Sequence, residues 1–234
     1  MGGVLEDSGV GGVSRVERGL SGGPVIYPIS MKDLSAFDLP EFMLAHFGRV
    51  DFGGDLFGQW PVGIRFEIGI ERVSRAAKIY EFAFASAQEC VLASTDWTEG
   101  TEMSRRSTPL FETPGIFPSE PMQFQTAEVF PFDEAKYLLT WTRLSPLAYD
   151  AASMFQAIAN REQPGDPKVN SRVFVIEPRS KIIMHMSDDR GLDVIAADID
   201  TLRPMFESFS DWILENQRHR IEFRFRANSG EFHD

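Results

Sequence analysis

Apolar and polar positions divide this chain into segments of two periods. From Val62 to Ile68 the apolar residues Val62, Ile64, Phe66 and Ile68 alternate with Gly63, Arg65 and Glu67. That is the spacing of a half-buried strand, with Arg65 and Glu67 on its second face. Over residues 70–87 the repeat lengthens to Ile70, Val73, Ala77, Tyr80 and Phe84, which predicts an amphipathic helix with Glu71 and Arg75 as an i,i+4 pair on its wet side. A short apolar strand follows at 90–95, so a β-α-β crossover is expected. Strands are predicted at 125–130 and 136–144, and a helix at 149–160 with Ala152, Phe155 and Ala159 inward.

The densest signal runs from Ser171 to Leu214. A β-branched run at 171–177 ends at Pro178, which cannot donate to a ladder. The next strand, 181–187, places Ile182, Met184 and Met186 on one face and Ile183, His185 and Ser187 on the other. Asp188-Asp189-Arg190-Gly191 reads as an acidic hairpin turn with Gly191 at positive φ. A strand at 192–196 then leads into a helix capped by Asp198 or Asp200, with Pro204 in its first turn and a stripe of Leu202, Met205, Phe206, Phe209, Trp212 and Ile213. Finally Ile221, Phe223 and Phe225 alternate with Glu222, Arg224 and Arg226, the pattern of a last strand with a basic outer face.

The remaining segments carry less pattern. Residues 1–30 are rich in glycine with no period and are expected to be a disordered extension, as are 227–234 as a flexible tail. Residues 31–226 then form one domain. Within it, a helix follows Pro40, 48–60 is a glycine-bearing loop without phosphate-loop spacing, and 97–125 reads as a surface insertion. His46 is expected to pack rather than react.

Composition narrows the functional classes. A chain of 234 residues buries a sizeable core. A net charge of −12 argues against duplex nucleic acid or anionic membrane as partner and favours a basic protein. The single cysteine, Cys90, excludes an internal disulfide and sits in an apolar run, as a buried thiol would. No apolar run reaches the length of a membrane span, and no signal segment opens the chain, so the expected location is cytoplasmic.

Candidate chemistry gathers at the acidic turn. Asp188, Asp189 and Asp193, with Arg190 and His185 nearby, could bind a partner, hold a divalent cation, or simply make a tight turn in which carboxylates cap backbone amides. Arg65 and Glu67 are the second candidate pair, to each other, to a neighbouring strand or to a partner. No serine-nucleophile elbow is present, and the histidines lack zinc spacing. No cofactor is expected.

Two stretches carry a family resemblance. Residues 60–69, Trp-Pro-Val-Gly-Ile-Arg-Phe-Glu-Ile-Gly, resemble the W-x-[IV]-G-I-R-F-E-L-G signature of the bacterial domain of unknown function 3885 family. Residues 185–196 resemble its H-x-Y-D-D-R-G-x-D-V-I-A motif, with Ser187 where the family usually has tyrosine, and Asp211-Trp212-Ile213-Leu214 resembles the D-W-I-L one helix later. The resemblance spans residues 39–221 and implies a fold and a bacterial origin, but no catalytic residues.

The reading is therefore one α+β domain: a mixed or mainly antiparallel sheet with helices packed on one side. The expected function is a non-catalytic interaction protein, of immunity or regulatory type, that engages a basic protein. The alternative is a small metal-dependent hydrolase built on the acidic turn.

Overall fold

A computed structural model describes residues 14–18, 24–28, 37–48, 50–97, 110–117, 122–129, 137–187 and 190–227. Two short strands, β1 (Ser14–Arg18) and β2 (Pro24–Pro28), pair as a hairpin. The rest of the expected extension and tail lies outside the described residues. The domain proper is an antiparallel sheet of β3 (Gly63–Glu67), β4 (Cys90–Trp97), β5 (Met122–Val129), β6 (Tyr137–Leu144), β7 (Arg172–Glu177), β8 (Ile182–Met186) and β9 (Gly191–Ala196). Its order is β5-β6-β4-β7-β8-β9-β3, with β1 beside β5. Its helices are α1 (Leu39–Phe47), α2 (Leu56–Gln59), α3 (Arg72–Phe84), α4 (Ala151–Ala159), α5 (Ile199–Ser208) and α6 (Glu215–Ala227). The chain is thus one α+β domain.

The helices are not confined to one side. Leu92, Val175, Met184 and Val194 face a core filled by α3, α4, α5 and α6. The alternate residues Val91, Ala93, Ile176, Ile183 and Ile195 face a second, smaller core closed by Leu39, Met43 and Phe47 of α1 and by Phe52 and Leu56. Central strands buried on both faces read as near-continuous apolar runs, and so do β7, β8 and β9. The expected crossover exists. β3 and β4 run parallel, joined through α3, but β9, β8 and β7 lie between them.

Four local expectations are corrected. Residues 215–227 are helix, not strand. Ile221 and Phe225 are buried four residues apart while Phe223 is 58% exposed, and Phe225 stacks on Phe206 of α5 at 4.3 Å. The i,i+4 pair hidden in the alternation is the part the fold uses, and Arg218 and Arg226 pair with Glu215 and Glu222 along the helix. Gly191 is the first residue of β9 and does not have a positive φ; among the described residues of this hairpin pair the positive φ belongs to Lys181, at 55°, in the turn from β7 to β8. Pro204 sits inside α5, whose N-cap is Asp198, accepting from the Thr201 amide at 2.9 Å. Within the supposed surface insertion, Leu110, Ile116 and Phe117 are buried in the larger core. There the apolar residues flank a turn at Pro114 and Gly115 rather than follow a strand or helix period.

Cys90 is fully buried, and burial pushes its thiol up to about 12. A thiolate is the nucleophile in thiol chemistry, so the folded protein should resist a disulfide-exchange reagent at neutral pH and react with one equivalent in urea. Native-state labelling at the rate of a free thiol would contradict this placement.

Candidate functional site

The sheet brings the separated motifs into one place. Residues Arg65, Asp193, His185 and Phe174 are successive cross-strand partners on β3, β9, β8 and β7, forming one row on the face of the smaller core. Arg65 lays its Nε and Nη2 against Asp193, at 2.6 Å to Oδ1 and 2.7 Å to Oδ2. Nη2 also reaches Asp55, just ahead of α2. Glu67, on the same face as Arg65, is exposed and pairs in register with Gly191 rather than with a carboxylate partner. The cross-strand pair expected of this strand is therefore made by Arg65 alone.

Asp193 is 1% exposed. Burial raises its carboxyl above the usual range against the pull of Arg65, whose guanidinium is held above its own ordinary value chiefly by the hydrogen bond to Asp193. His185 is 2% exposed and stacks on Phe174, centroids 4.5 Å apart. Its Nδ1 lies 2.7 Å from the Val173 carbonyl, and its Nε2 lies 3.3 Å from Nη2 of Arg172. Arginine only donates and a carbonyl only accepts, so the proton is on Nδ1 and the ring is neutral. Burial pushes this imidazole down to about 3, helped by the neighbouring arginines.

Over this row lies a strap, residues 51–60, fixed to the sheet by side chains. Arg172 donates to the carbonyls of Gly53, at 3.0 Å, and Gly54. Tyr137 donates to Asp51 at 2.5 Å, and Trp60 donates its indole N–H to Ala196 at 2.7 Å. The strap is braced internally by Gln59, whose amide accepts from the Asp51 N–H at 2.7 Å and donates to its carbonyl at 3.0 Å. A Cβ on Gly54 would lie 2.3 Å from that Gln59 nitrogen, so a side chain there would push the Gln59 amide out of its brace. Phe52 packs edge-on against Phe174 at 4.6 Å. The third motif closes the edge of β3. The Leu214 amide donates to the Arg65 carbonyl at 2.9 Å, and Ile213 bridges Phe66. Covering an edge strand with a loop in this way blunts it as a template for pairing.

The sequence-predicted residues therefore separate. Arg65, Asp193 and His185 come together, buried or half-buried; Arg190 is exposed beside them; Glu67 points to solvent. Asp188 and Asp189 lie outside the described residues. His46 is half-buried against Phe42, ring centroids 4.9 Å apart. Sequence reasoning missed Arg172, Asp51, Asp55 and Tyr137. Arg172 carried a faint signal, since it shares parity with Phe174 and Ile176 on a strand otherwise apolar.

Chemically, this arrangement holds its own groups. Both Asp193 oxygens are on Arg65 and both His185 nitrogens are bonded, so neither of these two groups is a free base or an open cation ligand. Among the described residues no group of three or more His, Cys, Asp and Glu side chains could hold a metal, and no helix is long and apolar enough to cross a membrane.

The family model described as Domain of unknown function (DUF3885) matches residues 39–217, most of the chain. Uncharacterized protein YnaE of Bacillus subtilis (strain 168) is 28% identical over 101 residues, which cover 41% of this chain and 45% of that protein. No solved structure matches.

Proposed function

The chain belongs to the DUF3885 family, and from that premise we propose that it is a non-catalytic interaction protein, of immunity or regulatory type, acting in the cytoplasm on a basic protein partner. One observation supports the reading above the others: Arg65 and Asp193 are bonded to each other and His185 to the Val173 carbonyl and Arg172, as a scaffold needs and as a catalytic set does not. The hairpin of β8 and β9 carries Asp188 and Asp189 between its strands, and its base is fastened on both sides by Asp193, His185 and Arg65. A net charge of −12 adds steering toward a basic surface.

Charge reversal tests the reading at the turn alone. In an affinity capture from host lysate with the full chain as bait, a single stoichiometric basic protein is expected, weakening as salt rises. Asp188→Lys with Asp189→Lys should abolish that capture and leave the thermal midpoint unchanged. Capture that survives the reversal, or a partner without a basic surface, would reject the proposal. Asp193 has no place in this test, because its reversal would strand Arg65 in the interior.

A further inference from the structure

Arg65 and Arg172 lie on one face of the sheet and are satisfied differently. Arg65 presents its Nε and Nη2 edge to both oxygens of one carboxylate. Arg172 presents the same edge to much less. Its Nη2 meets the Gly54 carbonyl and, at 3.3 Å, the neutral His185 ring, and its Nη1 meets the Gly53 carbonyl. Its Nε is buried and has no acceptor among the described residues. The nearby carboxylates are committed elsewhere. Asp193 and Asp55 accept from Arg65, and Asp51 accepts from Tyr137 and from the Gly53 amide at 2.8 Å. A carbonyl is a weaker partner for a guanidinium than a carboxylate, and a buried donor left without an acceptor is destabilising.

The cover over this edge, Gly53 and Gly54, lies outside any helix or strand. It is a two-glycine turn, joined to the sheet here by side-chain hydrogen bonds rather than by a ladder. We propose that Arg172 is the anchor of a binding site for a small monocarboxylate, which takes its Nε and Nη2 edge when Gly53 and Gly54 withdraw, in the geometry Asp193 adopts on Arg65. One negative charge suits the site better than two: Arg161 adds a positive charge beside Arg172, but Asp51, Asp193 and Asp55 act on it as well and would repel a dianion more strongly. The strap is then a lid, and its closed form competes with the ligand for Arg172.

That competition gives the test. The full chain is titrated with sodium acetate against sodium chloride at equal ionic strength and pH, following the thermal midpoint and the Gly53 and Gly54 amide resonances. Sodium phosphate serves as a third arm. Acetate alone should raise the midpoint saturably and shift both resonances. Arg172→Lys keeps the charge but not the two-donor edge and should lose the effect. Gln59→Ala, which loosens the strap without touching Arg172, should melt lower yet bind acetate about fivefold tighter, because the open form is more populated. Identical curves in acetate and chloride, an acetate effect retained in Arg172→Lys, or weaker binding in Gln59→Ala would overturn the proposal. A response to phosphate but not acetate would overturn the carboxylate assignment.

Discussion

Replacing Arg65 with alanine is expected to cost about 3–5 kcal/mol of folding stability, measured by urea unfolding, because it leaves Asp193 buried and unpaired. The carboxylate is 1% exposed and takes both its strong hydrogen bonds from that one guanidinium. The loss comes mostly from the stranded charge rather than from the bond itself. Removing both ends should therefore be milder than removing one: Arg65→Met with Asp193→Leu, which fills the same space with apolar atoms, should recover most of the deficit. Asp55 shares Arg65 from an exposed position, its side chain 51% accessible, and its removal should cost less than about 1 kcal/mol. Equal losses for Asp55→Ala and Arg65→Ala would show that the interior pair is not what holds β3 to β9.

His185 makes the fold acid-sensitive in a defined window. Its imidazole titrates near 6.5 when unfolded and is pushed down to about 3 in the fold. Between those values the unfolded chain binds the extra proton, so stability is full above the unfolded value and falls as pH drops toward 3. From pH 7 to pH 4.5 the loss from this group is about 2.5 kcal/mol. Asp150 and Asp198, held below the usual carboxylate range by their cap hydrogen bonds, also lose stability as pH falls. Asp193, raised by burial, works the other way. All three are common to the wild type and a His185→Gln variant, whose amide can still donate and accept. The difference in unfolding free energy between the two proteins should therefore shrink by about 2.5 kcal/mol over that interval, the wild type losing more. Parallel curves would mean that the ring is protonated in the fold.

Much of this was legible in the chain because the sheet obeys parity. The alternation of Ile182, Met184 and Met186 with Ile183 and His185 correctly assigned faces before any neighbour was known. The same parity set Arg65 on the face opposite Ile64 and Phe66. Parity cannot say that both faces are covered, so the helix expected after Pro40 and the loop after it were not foreseen to close the second face. Nor could it decide residues 221–225, where strand and helix both place Ile221 and Phe225 on one side and differ only at Phe223. Arg172, Asp51 and Asp55 were unreadable for another reason. Arg172 meets backbone carbonyls and Asp51 a tyrosine far along the chain, and Asp55, though only ten residues from Arg65, lies in residues 51–60, which have no period to announce where they fold.

The acidic residues of this hairpin divide by role: Asp193 is structural, and Asp188 and Asp189 are the ones we propose for partner binding. Urea unfolding of Asp193→Asn beside the double variant Asp188→Asn with Asp189→Asn tests it most directly. The account predicts a loss of about 3 kcal/mol for the first, which breaks a buried ion pair, and a change within about 0.5 kcal/mol for the second. The reverse order, or an Asp193→Asn protein as stable as wild type, would contradict it.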